Sequence, residues 1–317
     1  MSSATIGPVS LRRRQNLWQR IRNNWGLLLL LLPTLTFIIV FHYIPMYGIL
    51  IAFKDFRSTE GILGSPWTDN YGLKNFINFF TSYNAKAIVF NTLRISLYTL
   101  LAATPCAILF ALLLNYLPQP RYKKVVQTVT YAPHFISTVV VAGMLYLLLA
   151  PTSGIINRLI MNAGGRSIFF LNSAKWFPHV YVWSHVWQHM GWDSILYIAA
   201  LTGIDPQLHE AAIVDGASKI KRIRHIDLPG ILPTIIIVLI LNAGSLMSVG
   251  FEKAYLLQNN LNLQSSEILS TYVYKVGLIN NQFSFSTAIG LVNSLVNFGM
   301  LVLVNTISKR LTQNSLW

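Results

Sequence analysis

The sequence has few charged residues and a single cysteine, and each shortage excludes classes of protein. Only 11% of the 317 residues are charged and 53% are hydrophobic, whereas an average soluble domain is about 25% charged. A soluble fold of this length would need a charged surface, but a lipid bilayer removes that need. Cys106 lies in an apolar run, and one cysteine alone forms no internal disulfide and no zinc site. The composition therefore favours an integral membrane protein.

Positive charge exceeds negative charge, with a formal net charge of +14, which raises the question of nucleic-acid binding. The charges do not form one stripe, because they lie in short clusters between long uncharged runs. That pattern is typical of a membrane protein with basic cytoplasmic loops, so we expect no nucleic-acid partner. The basic N-terminus followed by Leu27–Leu32 superficially resembles a signal peptide, but no small-residue cleavage site interrupts the uncharged stretch before Phe53.

The long uncharged runs predict six membrane spans, since a membrane helix needs about 20 mostly apolar residues. The predicted spans lie near Gly26–Tyr47, Ser96–Tyr116, Val125–Leu149, Phe177–Leu201, Ile231–Gly250 and Phe285–Ser308. The predicted parts of the chain are a basic cytoplasmic segment (1–25), a first transmembrane helix (26–53), an extracellular loop (54–94), a five-helix permease core (95–308) and a cytoplasmic tail (309–317). We therefore expect an all-α membrane protein.

The distribution of Lys and Arg predicts the orientation of these spans. Segments on the side of the N-terminus carry fourteen Lys and Arg residues, and the opposite segments carry nine. Since the side richer in these residues is cytoplasmic, we expect both termini in the cytoplasm.

One predicted cytoplasmic loop, residues 205–229, differs from the others in being long and amphipathic. Asp205 followed by Pro206 is typical of a helix start, with an N-cap oxygen and then proline at the first helical position. Gly216 can adopt the left-handed conformation that ends a helix, and a short basic helix follows before Pro229 opens the fifth span. These features predict a helix-turn-helix on the cytoplasmic surface, which binds either anionic lipid headgroups or another protein.

The residue pattern of this loop decides between the two. It reads Glu210-Ala211-Ala212, three residues, Gly216, nine residues, Ile226, one residue and Leu228-Pro229. It resembles, without a departure, the signature loop of the membrane subunits of binding-protein-dependent ATP-binding-cassette (ABC) importers. Other stretches are similar to the carbohydrate permeases of that group related to polysaccharide and lipoprotein transport permeases; they are Phe41–Gly48, Ala52–Phe56, Tyr131–Ser137 and Val139–Met144.

This resemblance implies a type I ABC importer permease fold with six transmembrane helices and a cytoplasmic coupling helix, in a bacterial plasma membrane. It implies that the chain forms half of a translocation pathway for a sugar, of oligo- or polysaccharide size. The implied partners are a second permease, by family norm a different chain, two cytoplasmic ATP-binding subunits and an extracellular sugar-binding protein. The implied ATPase-coupling residues are Glu210, Ala211, Ala212, Asp215, Gly216, Ile226, Leu228 and Pro229.

The sequence predicts neither an enzyme nor a cofactor. It contains no glycine-rich loop ending in Gly-Lys-Ser/Thr, so we expect ATP to be bound by a partner subunit. The histidines lack a metal-site spacing with carboxylates, and no serine–histidine, zinc or paired-carboxylate constellation stands out. The sequence therefore favours a transporter over a membrane-embedded enzyme. The main alternative is an ion-coupled secondary transporter, which usually has several buried carboxylates and broken helices, whereas only Asp193 qualifies here.

The residues that line the substrate pathway are predicted from chemistry alone. Sugar sites combine aromatic faces with amides and carboxylates, and the fourth span is rich in both. A carboxylate within a membrane is costly and is by default a functional candidate, but Asp193 could instead pair with Arg94 or lie near an aqueous vestibule. Packing between helices explains the asparagines of the last two spans equally well. The predicted pathway residues are Trp187, Gln188, Asp193, Asn242, Asn293 and Asn297.

Overall fold

A computed structural model describes residues 24–248 and 250–312, and these residues are almost entirely helical. The described chain has no β-strand beyond one isolated bridge between Lys54 and Trp67. It divides into two compact units, one ending at Leu50 and the other beginning at Ile51. The predicted basic segment 1–25 lies outside the described residues except at its last two positions, as do residues 313–317 of the predicted tail.

The described residues of the first unit, 24–50, belong almost entirely to one long apolar helical stretch that ends at Phe53. Helix α1 (Trp25–Ile38) continues through a π-helical turn (Ile39–Tyr43) and the short helix Ile44–Met46 into a 3₁₀ segment (Tyr47–Phe53). None of the α1 residues is buried, although nearly all are apolar. The whole stretch of 29 residues is more than long enough for a hydrocarbon core about 30 Å thick, and it coincides with the first predicted span.

The second unit contains the remaining helices, interrupted by short 3₁₀ and π-helical turns. In chain order they are α2 (Lys74–Thr81), α3 (Ala85–Asn115), α4 (Pro120–Tyr131), α5 (Thr138–Leu148), α6 (Ile155–Asn162), α7 (Phe177–Thr202), α8 (Pro206–Val214), α9 (Lys219–Arg222), α10 (Leu228–Ala243), α11 (Phe251–Leu257), α12 (Leu269–Tyr274) and α13 (Phe283–Thr312), with single turns at Gly61–Gly64 and Leu263–Ser266.

Four helical stretches of the described chain are long and apolar enough to cross a membrane: Trp25–Phe53, Ala85–Asn115, Lys219–Ala243 and Phe283–Arg310. They match predicted spans one, two, five and six, although α3 begins before Ser96 and its first turns belong to what was predicted as an extracellular loop. Helix α7, predicted as span four, has 26 residues, but its polar side chains, three histidines with Gln188 and Asp193, make it less apolar than the four helices above. The count of six spans therefore stays a prediction.

The prediction of one continuous helix for the third span, Val125–Leu149, is wrong. Pro120–Phe135 and Thr138–Leu148 are both helical but meet at an angle of 99°. The backbone of Ile136 is extended, and Ser137 begins α5 by accepting a hydrogen bond from the Val140 N–H at 3.4 Å. The apolar composition continues across the break, so hydropathy alone does not reveal it.

The core of the second unit follows helix α3 from one end to the other. Near its start, Ile88 packs with α2, α12 and α13; in the middle, Ile95 packs with α7 and α11; towards its end, Ala111 packs with α7 and α10. Helix α7 also approaches α4 closely at Gly191. A Cβ atom at this position would collide with the Thr130 carbonyl, so only glycine allows this approach. Small residues permit such close approach of membrane helices.

Candidate functional site

The loop over residues 205–229 begins with a helix that is capped as predicted. The Asp205 carboxylate accepts a hydrogen bond from the Gln207 N–H at 2.9 Å, and Pro206 is the first residue of α8. Gly216 ends the helix with φ of +71°, while the Ala217 N–H donates to the Ala212 carbonyl at 2.8 Å. The helix start and the left-handed glycine are therefore confirmed, since few residues other than glycine adopt this φ without strain.

Helix α8 presents apolar side chains to its surroundings instead of burying them. It contains no buried residue, and Leu208, Ile213 and Val214 are 54%, 56% and 88% exposed. The predicted coupling residues Glu210, Ala211, Asp215 and Gly216 are exposed as well, and Ala212 is half-buried. Exposed apolar side chains on a helix that buries none of its own residues are available for contact with a protein or a membrane.

The end of the loop is anchored in the membrane helices. Ile226 and Leu228 are half-buried and Pro229 is exposed, and Leu228 packs on the core cluster that contains Leu201 and Ile231. The predicted coupling residues thus divide into an exposed set on and after α8 and an anchoring set at the start of α10. Their role in coupling stays a prediction.

A cavity of about 400 Å³ lies between α3, α7 and the C-terminal part of α10 with the residues that follow it. Of the predicted pathway residues, Asp193 and Asn242 line it. The lining is mixed, with hydroxyl, imidazole, carboxylate and amide groups among aliphatic ones, and its polar members are Ser96, Thr99, Thr104, Tyr181, His185, His189, Asp193, Tyr197, Asn242, Ser245 and Ser248. Such a lining offers hydrogen-bond donors and acceptors to a polar solute.

Two histidines form one wall of this cavity. The rings of His185 and His189 stack with centroids 4.2 Å apart, and Nδ1 of His189 lies 3.1 Å from the His185 carbonyl oxygen. Asp193, one turn further along α7, forms no salt bridge within residues 24–248 and 250–312, so the pairing with Arg94 is not observed. Nor do the described residues contain three or more His, Cys, Asp or Glu grouped to hold a metal ion.

The other predicted pathway residues lie outside the cavity lining. Gln188 is buried and donates from Nε2 to the Ile136 carbonyl at 3.0 Å, which satisfies the backbone at the break between α4 and α5. Asn297 accepts from the Met247 N–H at 2.8 Å and donates to the Ser248 hydroxyl at 2.9 Å. These two amides therefore support irregular backbone next to the cavity.

Within residues 24–248 and 250–312, the side chains of Trp187 and Asn293 make no hydrogen bond that would assign them a role. Trp187 is 47% exposed and contributes to an apolar hollow with Trp176 and Trp183. The Oδ1 atom of Asn293 is buried and has no hydrogen-bond partner among the described residues.

Lys253 on α11 is a charged group that sequence reasoning did not single out. Its side chain is only 5% exposed, and its Nζ has no hydrogen-bond acceptor in the described chain. The ammonium lies 5.3 Å from the centroid of the Tyr181 ring, and Tyr181 lines the cavity. Burial lowers the pKa of Lys253 to about 7, because removal from water disfavours the charged form.

Sequence reasoning also missed a carboxylate within the loop itself. Asp227 occupies the unspecified position between Ile226 and Leu228 and is fully buried, with Tyr116 and His209 as its polar neighbours. The signal available was a lone acidic residue at the end of a strongly basic segment, directly before an apolar run.

Comparison with protein families and solved structures agrees with this geometry. Residues 103–313 match the family described as "Binding-protein-dependent transport system inner membrane component". The chain is 40% identical over 305 residues to the polygalacturonan/rhamnogalacturonan transport system permease protein YteP of Bacillus subtilis (strain 168), covering 96% of this chain and 94% of that one. It is 40% identical over 296 residues to protein LplB of the same organism, covering 93% and 92%.

One solved structure resembles nearly the whole chain. It is a crystal structure of a bacterial alginate ABC transporter in complex with its alginate pentasaccharide-bound periplasmic protein. The TM-score is 0.87 at 35% sequence identity, and the match covers 95% of this chain and all of the other. The all-helical architecture described above is therefore that of a permease chain of a type I ABC importer.

Proposed function

The chain belongs to the family of binding-protein-dependent transport system inner membrane components, and from that premise we propose that it is a transmembrane permease subunit of an ATP-driven sugar importer. It forms half of the translocation pathway and performs no chemistry of its own. The observation that carries this proposal is the 0.87 TM-score to the alginate importer over 95% of the chain. The substrate is an oligo- or polysaccharide, in keeping with the polygalacturonan/rhamnogalacturonan and alginate named for its relatives.

The loop 205–229 couples this subunit to an ATPase. Its helix α8 buries none of its own residues and leaves Leu208, Ile213 and Val214 exposed, which suits insertion into a cleft on a partner. Glu210 supplies a polar contact at that interface, and Gly216 turns the chain so that α9 and α10 return to the membrane. We expect this face to be cytoplasmic, together with both termini.

The cavity between α3, α7 and α10 belongs to the pathway. Its polar groups replace part of the hydration shell of sugar hydroxyls, with Asp193 and Asn242 as the groups predicted from sequence. A cavity of about 400 Å³ falls at the small end of ligand pockets, roughly 300–1,000 Å³, so it holds part of an oligosaccharide at one time. The second half of the pathway comes from a second permease, which we expect to be a different chain.

The first test is purification of the tagged chain from its native membranes in mild detergent, followed by mass spectrometry of the proteins that accompany it. We expect a second permease and an ATP-binding subunit, and we expect the reconstituted complex with its binding protein to import oligosaccharide only when ATP is present. Recovery of the chain alone, together with uptake driven by an ion gradient, would contradict the proposal and would favour a secondary transporter.

A further inference from the structure

We propose that Asp227 is a positioning residue that ties the coupling loop to the adjacent end of α3, so that movement of α8 is passed to the helices around the cavity. This proposal rests on the coupling role proposed above for residues 205–229 and concerns how that role is carried out. Asp227 is fully buried. Its Oδ2 accepts a hydrogen bond from the Tyr116 hydroxyl at 2.7 Å. Its Oδ1 lies 3.3 Å from Nε2 of His209, within salt-bridge distance, but has no hydrogen-bond partner among the described residues.

The three side chains come from three different elements. Tyr116 directly follows α3, His209 lies in α8, and Asp227 ends the π-helical turn that leads into α10. Both α3 and α10 line the cavity, through residues such as Thr104 and Val238. From Tyr116 to Thr104 the distance along the helix axis is about 18 Å. Asp227 therefore lies at the point where the loop meets two of the helices that enclose the cavity.

A third contact involves the ring of the same tyrosine. The guanidinium carbon of Arg222, on α9, lies 5.4 Å from the centroid of the Tyr116 ring, a cation–π arrangement. The Nε of Arg222 is buried and has no hydrogen-bond partner in the described chain. Helix α9 and the turn that ends the loop thus both contact Tyr116, the residue that directly follows α3, while α8 is connected to it through Asp227.

A buried carboxylate makes a stiff connection for a physical reason. A buried charge is strongly disfavoured unless it stays hydrogen-bonded and paired, so the Tyr116 hydrogen bond and the His209 contact of Asp227 hold α3, α8 and α10 in one arrangement as long as they persist. Apolar packing does not perform this task for α8, because that helix buries no residue. The contact of His209 with Asp227 is therefore a principal tie between the exposed docking helix and the membrane helices.

The test compares conservative substitutions with matched controls in the complete importer, reconstituted with its ATPase and binding protein. Tyr116→Phe removes the hydroxyl and keeps the ring over which Arg222 lies, and His209→Gln removes the imidazole. The controls are Tyr122→Phe, an exposed tyrosine on α4, and His225→Gln, an exposed histidine of the same loop whose Nδ1 lies 2.9 Å from the Lys221 carbonyl. The quantities measured are ATPase recovery on purification, the melting temperature and the ATP hydrolysed per sugar imported.

We expect Tyr116→Phe and His209→Gln to retain the ATPase but to raise the ATP consumed per sugar at least threefold, while both controls stay at the wild-type ratio. Tyr116→Phe should also lower the melting temperature, because it leaves the buried Asp227 carboxylate without its hydrogen bond. The double variant with Asp227→Asn and His209→Gln should consume less ATP per sugar than His209→Gln alone, because the two amides can form a hydrogen bond without a buried charge. A wild-type ratio in both variants, or loss of ATPase assembly in both, would overturn the proposal. The wild-type complex reports separately on the proposed function, since ATP-dependent import by that complex does not depend on these variants.

Discussion

The loop over residues 205–229 and the cavity between α3, α7 and α10 are built in opposite ways. The loop is continuous in sequence, and its shape follows from local rules: a capping aspartate, a proline at the first helical position and a left-handed glycine. The cavity takes its lining from residues between Ser96 and Gly250, which long intervening segments bring together. A short-range pattern therefore identifies the loop, whereas no local pattern identifies the cavity.

The two regions also differ in how they use apolar and polar groups. Helix α8 exposes apolar side chains, which suits a site that a partner protein covers. The cavity encloses polar side chains, which suits a polar solute in transit. Damage to the shape or the exposed surface of α8 should therefore abolish assembly with the ATPase, while damage to the cavity should impair transport by an assembled complex.

The largest effect that this contrast predicts is at Gly216. Replacement by valine forces a β-branched residue to φ of +71°, a conformation that costs about 1–3 kcal/mol of strain for a non-glycine residue. We expect Gly216→Val to insert normally but to lose ATPase recovery and sugar uptake by tenfold or more, measured by co-purification and by uptake into cells.

The chain offers a sharp control at the same position. A Cβ atom at Gly216 would meet nothing within 4 Å, so the expected cost lies in the backbone and not in a steric clash. Asparagine tolerates the left-handed region better than other residues with a Cβ atom, so Gly216→Asn should keep most of the activity. Equal losses in the two variants would mean that φ is not the reason for the glycine.

The same contrast explains which predictions from the sequence succeed. The start of α8, the left-handed glycine and four of the long apolar helices are confirmed because each depends on neighbours within a few turns of the chain. The break between α4 and α5 was missed because hydropathy continues through it. Gln188 and Asn297 were chosen for their chemistry, but the sequence does not reveal that irregular backbone at Ile136 and Met247 would bind their amides. Asp227 was missed because its partners lie 111 and 18 positions away from it.

A smaller effect is expected at Asp193, the carboxylate of the cavity. Asp193→Asn keeps the shape and removes the charge, so we expect ATPase recovery to stay at the wild-type level while sugar uptake falls several-fold. Asp69→Asn is the matched control, because Asp69 is exposed and its salt bridge to Lys74 is solvated, and such pairs contribute little. Loss of ATPase recovery in Asp193→Asn would break the separation between the cavity and the loop.

Asn297 and Asn293 test the boundary between the pathway and its support. Asn297→Ala leaves the N–H of the buried Met247 without its acceptor, and an unsatisfied buried polar group costs about 1–3 kcal/mol; the Ser248 hydroxyl, which also loses a partner, is exposed. We therefore expect Asn297→Ala to lower the melting temperature of the purified complex by several degrees. Asn293→Ala removes an Oδ1 that has no hydrogen-bond partner in the described chain, so it should lower that temperature less. The reverse order would assign the structural role to Asn293.

The smallest effect is expected at Lys253, whose ammonium lies over the Tyr181 ring at the edge of the cavity. Burial lowers the pKa of this lysine from 10.5 to about 7, so the unfolded chain binds a proton over a pH range in which the folded chain releases it. The lysine therefore reduces stability as the pH falls from about 10 towards 7. Lys253→Met, which fills a similar volume without charge, should melt a few degrees above the wild type at pH 7, and the difference should shrink as the pH approaches 10. If the difference in melting temperature between Lys253→Met and the wild type does not change with pH, the side chain is not buried as a neutral amine. If Lys253→Met melts below the wild type at pH 7, the charge of the lysine stabilises this edge of the cavity.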